Sequence, residues 1–287
     1  MTESNKNPKI AVVIGAGGIK TIGAIALFDF LEKQGVDIHL LVGCSSGAEV
    51  CALKALGYSN VELEELYLNK NNKYKISDFK SFDYRTIASW LGVPGINCSK
   101  YSAIFRNHKV LKIYDELFGD TLIETLKTPL IVQTTDLESG EERRLSSGIL
   151  GQAVCASQAC LPFFPPLEIQ GRLLGDGAYA NPVPISTALD EGAEVVIALG
   201  FEEIALAPKN LIEQVESFFG KVMEARRRTQ MALSLWQQQG KIFYIHVRYA
   251  HPIMMWDIGA ISYIIQKTRE VVQGKAGELI TFLHEHG

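Results

Sequence analysis

The chain has 287 residues, of which 47% are hydrophobic and 21% are charged, a balance typical of a globular protein with a full core. Its formal net charge of −4 at pH 7 gives no reason to expect a nucleic acid as partner. The five cysteines are an odd number without a Cys-x-x-Cys pair, which argues against a disulfide framework and a structural zinc site and favours a reducing compartment.

The start of the chain, MTESNKNPKI, is polar and lacks the apolar stretch of a secretory signal. No run reaches the roughly 18 uncharged apolar residues that a membrane-spanning helix needs. We therefore expect a cytoplasmic protein without a transmembrane segment, whose contact with a membrane would be peripheral. Export without a cleaved signal would leave the same pattern.

The first half of the chain alternates between strand and helix patterns. Residues 9–14 form a β-branched run that predicts a buried strand, and residues 19–33 have the spacing of a helix. Residues 38–43 predict a second strand and residues 47–57 a second helix. This β-α-β-α order predicts an α/β fold, a three-layer α/β/α arrangement with a mainly parallel central sheet and its site at the carboxyl ends of the strands.

The remaining elements continue this pattern after a less regular stretch at residues 60–108. In chain order we expect a helix at 109–120, a strand at 129–137, an edge strand within 138–148, a helix at 153–160, a strand and loop at 171–185, a strand at 193–200, a long helix at 208–240, a strand at 242–247 and a terminal helix at 268–285. No repeat or linker interrupts the chain. We expect one domain over residues 1–287, with the chemical motifs in 9–188 and helices and a strand in 189–287.

A motif for a nucleophile lies between the second strand and the second helix. The sequence Gly43-Cys44-Ser45-Ser46-Gly47 satisfies G-x-S-x-G in the strand-turn-helix context that this motif requires. Glycines would be needed at positions 43 and 47 of so tight an elbow, and the turn would present the Ser45 hydroxyl beside the positive end of a helix. The alternative interpretation is an ordinary turn in which a serine caps the helix.

A serine hydroxyl reacts only when a base removes its proton, and histidine is the usual base. His251, in a loop, is the fair histidine candidate, whereas His246 lies inside an apolar strand and is interpreted as a core or sheet-face residue. A carboxylate in direct contact with the serine is the alternative. Asp176 follows an apolar strand between two glycines, although such an Asp-Gly pair also fits a simple turn.

Four segments, in this order, resemble the patatin-like phospholipase family. They are GAGGIK after the first strand, GCSSG after the second, TTDLESG, and ASQACLPFFPPLEIQGRLLGDGAYANPVPI. The last matches the family pattern Ala-Ser…Pro-x-x-Phe-x-Pro…Gly-Arg…Asp-Gly-[Gly/Ala]…Asn-x-Pro. The similarity extends over nearly the whole chain.

The resemblance implies a Ser–Asp dyad that needs no histidine. In it Ser45 is the nucleophile and Asp176 the base, with Gly177 and Ala178 completing the Asp-Gly motif. The implied activity is hydrolysis of carboxylic ester bonds in phospholipids or lysophospholipids, of phospholipase A type, through an acyl-serine intermediate at a lipid or membrane surface. A pKa of Asp176 raised by burial would help it to act near neutral pH. The sequence shows no His/Asp cluster with metal-ligand spacing, and we expect neither a metal nor another cofactor.

The glycine-rich segment GAGGIK has two interpretations. A dinucleotide-binding loop is disfavoured, because Lys20 stands where the third glycine of G-x-G-x-x-G would be and no ribose-binding acid follows the second strand. The family resemblance instead implies an oxyanion hole formed by the N–H groups of Gly17 and Gly18, with Lys20 supporting a lipid head group or the loop. The chain departs from the family at Ala16 and Thr21, and a positive φ at Ala16 would distort the hole.

Three further segments are interpreted structurally. The apolar stretches 86–97 and 251–265 could form an acyl tunnel or a lid, but we favour core packing. The basic triplet Arg226-Arg227-Arg228 is predicted to lie on a solvated surface, because consecutive residues of a helix cannot share one face.

Two other functions remain compatible with the sequence. One is a soluble esterase or thioesterase of the same dyad type that acts on short acyl chains. The other is a catalytically idle lipid-binding regulatory protein, which the Ala16 departure keeps open. The sequence determines neither the head-group and acyl preference nor the oligomeric state.

Overall fold

The fold is organised around one central sheet. The computed structural model describes residues 8–69, 88–89, 94, 103–105, 107–202, 208–209, 211–238, 240–254 and 257–286. Over these residues eight strands form one sheet. The strands are β1 (Ile10–Ile14), β2 (Leu40–Cys44), β3 (Leu130–Asp136), β4 (Glu142–Leu145), β5 (Leu167–Ile169), β6 (Arg172–Asp176), β7 (Val195–Phe201) and β8 (Ile242–Val247).

The strand order is β5-β6-β3-β2-β1-β7-β8, with β4 also paired to β3. The run β3-β2-β1-β7-β8 is parallel, whereas β4 and β6 are antiparallel to β3 and β5 is antiparallel to β6. The predicted mainly parallel sheet is therefore confirmed. Because parallel strands end at the same edge, the turns that follow β1 and β2 lie side by side, with Ile14 in register with Gly43.

Helices cover both faces of this sheet. The α-helices of the described residues are α1 (Ala24–Lys33), α2 (Ser46–Ala55), α3 (Asn60–Leu68), α4 (Asn107–Phe118), α5 (Leu150–Ser157), α6 (Ile185–Asp190), α7 (Leu211–Gln237), α8 (Ile261–Gly274) and α9 (Ala276–His286). Side chains of β1 alternate between the two faces. Val12 and Ile14 pack with α1, α2, α5 and α8, whereas Ala11 and Val13 pack with α6 and with Met231 of α7. These two apolar layers confirm the three-layer α/β/α arrangement.

Several element boundaries differ from the sequence-based expectation. Helix α3 lies in the stretch predicted to be irregular, and its start carries a capping box in which Ser59 and Glu62 bond reciprocally. The predicted helix at 19–33 begins as a 3-10 helix at Gly18–Gly23. The single terminal helix predicted at 268–285 is the end of α8 followed by α9, because the chain leaves the helical path after Gly274.

The packing tests the predictions made for the apolar stretches and for the arginine triplet. Most of the stretch 86–97 lies outside the described residues. In the described part of 251–265, buried side chains include Ile253, Ile261 and Ile264, which confirms core packing there. The solvated-surface prediction for the arginine triplet is wrong for Arg227, which is buried because its guanidinium pairs with Glu224 and Tyr244.

Candidate active site

The turn after β2 holds Ser45 in an unusual backbone conformation. Its φ is 55° and its ψ is −131°, a region that non-glycine residues rarely occupy. The flanking glycines are required by close backbone approach. A Cβ on Gly43 would lie 2.4 Å from Ala48 Cα, and one on Gly47 would lie 2.5 Å from Ile14 O. The sequence therefore forms the tight elbow that the G-x-S-x-G pattern predicts.

The Ser45 hydroxyl meets the carboxylate of Asp176. Ser45 Oγ donates a hydrogen bond to Asp176 Oδ2 over 2.8 Å, and both residues are buried. Asp176 ends β6, where the antiparallel register sets it beside Thr134 of β3. The sheet thus brings together two side chains that are 131 positions apart in the chain.

The environment of Asp176 tunes its acidity. Burial raises the pKa of its carboxyl from 3.8 to about 6, while hydrogen bonds from the Ala178 N–H and the Ser45 hydroxyl lower it. The Ala178 N–H bonds to Oδ1 over 2.9 Å, so Oδ2 is directed at the serine. Gly177 leaves no room for a side chain, because an added Cβ would lie 2.2 Å from Gln133 O. The carboxylate is therefore oriented, largely ionised at neutral pH and close in pKa to that pH.

Linkage between this pKa and folding leads to a stability prediction for Asp176→Asn. Because the folded-state pKa of about 6 exceeds the ordinary 3.8, the folded protein holds the proton more tightly, and stability falls as pH rises across that window. Above it, we expect Asp176→Asn to be more stable than wild type by about 1 to 3 kcal/mol, and below it the difference should disappear. Urea unfolding at pH 4 and pH 8 measures this. An equal difference at both pH values would contradict the assigned burial cost.

A second serine fixes the backbone of the elbow. Ser157, the fully buried last residue of α5, accepts a hydrogen bond from the Ser45 N–H over 2.9 Å and donates one to Gln133 O over 2.6 Å. Its neighbour Gln158 donates to the buried carboxylate of Glu49 on α2. Ser157 belongs to the segment that resembles the family pattern, but the sequence assigns it no role. The feature of the sequence that could have indicated this role is the Ala156-Ser157 pair, which is part of the family pattern.

Removing the Ser157 hydroxyl should disturb the nucleophile. In Ser157→Ala the Ser45 N–H stays buried without its acceptor, which costs about 1 to 3 kcal/mol of folding stability. We expect kcat for ester hydrolysis to fall about tenfold or more while KM changes little, because the elbow loses its fixed position. Ser157→Thr keeps the hydroxyl and should recover part of kcat. Wild-type kcat in Ser157→Ala would refute this role.

The glycine-rich turn after β1 leaves two N–H groups available. Gly15 N–H donates to Leu199 O and Ala16 N–H to Pro182 O, whereas those of Gly17 and Gly18 form no hydrogen bond within the described part of the protein. Gly18 has a φ of 55°. Ala16 is not among the residues with positive φ, so the distortion considered for this position does not occur.

Lys20 and the histidines lie apart from the Ser45–Asp176 hydrogen bond. Lys20 is 3% exposed, and its Nζ donates to Ile253 O over 3.4 Å, which links the glycine-rich turn to the segment after β8. His251 is exposed and stacks on Tyr263. His246 stacks on Tyr244 within β8, which confirms its interpretation as a sheet-face residue, and burial lowers its pKa. In the ranges that the structure describes, no histidine bonds to Ser45 or Asp176.

Two further features concern the described residues alone. These residues contain no group of three or more His, Cys, Asp or Glu side chains arranged to hold a metal ion. None of their helices is both long enough and apolar enough to cross a bilayer.

Comparison with known proteins gives the family and several relatives. The patatin-like phospholipase family model matches residues 12–189. An uncharacterized NTE family protein of Mycobacterium tuberculosis is 28% identical over 208 residues, which are 71% of this chain and 52% of the relative. The lysophospholipase NTE1 of Scheffersomyces stipitis is 26% identical over 193 residues, 67% of this chain and 12% of the relative. The crystal structure of VipD from Legionella pneumophila aligns with a TM-score of 0.47 at 13% identity, covering 94% of this chain and 67% of that one.

This chain therefore spans about half the length of the mycobacterial relative and a much smaller share of the fungal enzyme. The match to the family model, in contrast, extends over more than half of the chain and includes both Ser45 and Asp176. The chain belongs to the patatin-like phospholipase family.

Proposed function

We propose that the protein is a lipid acyl hydrolase that cleaves carboxylic ester bonds of phospholipids or lysophospholipids with a Ser45–Asp176 dyad. The observation that carries this proposal is the 2.8 Å hydrogen bond from the Ser45 hydroxyl to the Asp176 carboxylate in a buried, tightly turned elbow. The family to which the chain belongs supports it, as does the lysophospholipase named among its relatives.

The proposed reaction has two halves. Asp176 takes the Ser45 proton as Oγ attacks the ester carbonyl, and the protonated carboxyl then gives that proton to the leaving alcohol or glycerol oxygen. In the second half Asp176 removes a proton from water as the water oxygen attacks the acyl-serine. The bond between the acyl carbon and Ser45 Oγ then breaks, Asp176 returns the proton to Oγ, and the fatty acid is released. The pKa of about 6 suits Asp176 to both roles, because it can hold and return a proton near neutral pH.

The negative charge that develops on the carbonyl oxygen needs hydrogen-bond donors. The N–H groups of Gly17 and Gly18 are assigned this role, since they are free among the described residues and belong to the turn beside the elbow. Both positions require a glycine. A Cβ on Gly17 would lie 2.8 Å from the Phe201 ring, and Gly18 has a positive φ, which side chains disfavour. Lys20 is assigned to hold this turn against the segment after β8.

In this proposal residues 189–287 are part of the same domain as the dyad. Strands β7 and β8 follow the matched region and extend the sheet beside β1, so residues 189–287 belong to the catalytic domain. The substrate is a lipid at a surface and no nucleic acid is required. Free cysteines in the described part, such as Cys44 and Cys51, fit a cytoplasmic location.

Substrate profiling tests the proposed function. Fatty-acid release is measured from phosphatidylcholine vesicles and from lysophosphatidylcholine, and compared with hydrolysis of nitrophenyl esters of increasing chain length. We expect release from at least one of the two lipids and a preference for long acyl esters, both lost in Ser45→Ala. Hydrolysis of short esters alone would assign the protein as a soluble esterase, and no turnover of any ester would assign it as an idle lipid binder.

A further inference from the structure

The long helix α7 (Leu211–Gln237) has an unusual inner face. The residues that it buries against the sheet include Glu224, Arg227 and Met231. Arg227 donates to Glu224 Oε2 over 2.9 Å and to the Tyr244 hydroxyl over 2.7 Å. An ion pair and a tyrosine hydroxyl thus occupy positions that usually carry apolar side chains.

The outer face of α7 is apolar instead. Exposed fractions are 44% for Val222, 52% for Leu233 and 73% for Trp236, and Ala225 and Thr229 between them are also exposed. Successive members of this set are three or four residues apart, so they lie on one side of the helix and form what we call the outer stripe. The amphipathic helix therefore points its apolar side away from the sheet, and such an exposed apolar surface marks a place of interaction.

Basic residues border the outer stripe. Lys221, Arg226 and Arg228 are exposed, and Arg228 remains 68% exposed although its Nε donates to Glu224 Oε1 over 2.7 Å. The whole helix has four basic residues and three acidic ones, and the acidic Glu213 and Glu216 lie in its first two turns, before the outer stripe begins at Val222. The whole chain carries a net charge of −4, so this positive surface is a local feature. An apolar face with basic borders is the pattern of helices that lie in the interface of an anionic bilayer.

One flank of α7, between the outer stripe and the buried face, contacts the loop of the proposed base. Arg226 Nε and Gln230 Nε2 both donate to Ala180 O, over 2.9 Å and 3.0 Å. Ala180 lies four residues after Asp176. A surface bound at the outer stripe is thereby connected, through one helix, to the segment that carries the carboxylate.

We propose that the outer stripe of α7 docks the protein on an anionic lipid surface, with Val222, Leu233 and Trp236 inserting among the acyl chains and Lys221 and Arg228 contacting head-group phosphates. The choice of a lipid partner rests on the proposed function. Charge complementarity favours it over a second copy of the chain, because pairing two outer stripes would bring their basic borders together.

Vesicle co-sedimentation tests this docking surface. Phosphatidylcholine vesicles with and without phosphatidylglycerol are mixed with the full chain carrying Ser45→Ala, so that binding is measured without turnover and independently of hydrolase activity. In this background a stripe variant combines Val222→Gln, Leu233→Gln and Trp236→Gln, and a border variant combines Lys221→Gln and Arg228→Gln. The matched control is Leu235→Gln. Leu235 is 43% exposed, against 52% for Leu233, and lies two residues from it and hence off the stripe.

We expect binding to require phosphatidylglycerol and to weaken with salt. The stripe variant should lower the partition coefficient at least about tenfold, the border variant should lower it several-fold, and the Leu235→Gln control should stay within about twofold of its parent. Equal binding of parent and stripe variant would overturn the proposal. It would also be overturned if sedimentation velocity showed a dimer of the parent chain that the stripe variant dissociates, because the stripe would then be an interface between copies.

Discussion

Ser45→Ala and Asp176→Asn should each lower kcat for ester hydrolysis at least about 10³-fold, because a nucleophile and its base act as a unit. The two side chains share one 2.8 Å hydrogen bond, so either change removes the proton transfer that activates the hydroxyl. Steady-state hydrolysis of a long-chain nitrophenyl ester measures both effects. The double variant should have nearly the same kcat as either single variant, because each single change already abolishes the proton transfer between the two side chains.

Matched controls separate this effect from general damage. Ser46→Ala makes the same substitution one position further along the elbow, at the first residue of α2, and should keep kcat within a few-fold of wild type. His251→Ala tests the histidine alternative and should have no effect, because the exposed His251 ring contacts Pro252 O and Tyr263 rather than Ser45 or Asp176. Full activity in Asp176→Asn together with a large loss in His251→Ala would replace the dyad by a triad.

Gly47→Ala should have the next largest effect. Its Cβ would lie 2.5 Å from Ile14 O and 2.7 Å from Gly15 O, and neither backbone atom can swing aside as a flexible side chain would. We expect α2 and the glycine-rich turn to move apart, with a loss of about 1 to 3 kcal/mol in stability and of about 100-fold or more in kcat.

Chemical unfolding and hydrolysis assays on the same preparation measure the two losses. Gly277→Ala is the control, because Gly277 lies in α9 and an added Cβ meets nothing within 4 Å. That variant should be as active as wild type and equally or slightly more stable. Wild-type activity in Gly47→Ala would show that the elbow can rearrange without cost, contrary to the close approach described here.

The sequence predicted the local parts of the site well. The strand before Ser45, the elbow and the helix after it follow from short-range patterns, namely an apolar run, two glycines and a helical spacing. The identity of the base did not follow from local patterns, because the contact between Ser45 and Asp176 depends on how β6 pairs with β3. Residue-level reasoning left His251 and Asp176 as alternatives, and the family resemblance was needed to choose between them.

Other features required the three-dimensional structure. Ser157 supports the elbow through a contact 112 positions away in sequence, which no spacing rule encodes. The sequence pattern predicted a long helix at 208–240 but not which of its sides packs on the sheet. Arg227 is buried because it bonds to Glu224, three residues earlier in α7, and to Tyr244 of β8. Its position therefore depends on partners from two elements.

The central claim is that Asp176 makes the Ser45 hydroxyl nucleophilic. Labelling with a fluorophosphonate, followed by peptide mass spectrometry, tests it without any assumption about the lipid substrate. The account predicts a single adduct on Ser45, formed at least about 100-fold more slowly in Asp176→Asn than in wild type. An adduct on a different residue, or an unchanged labelling rate in Asp176→Asn, would contradict it.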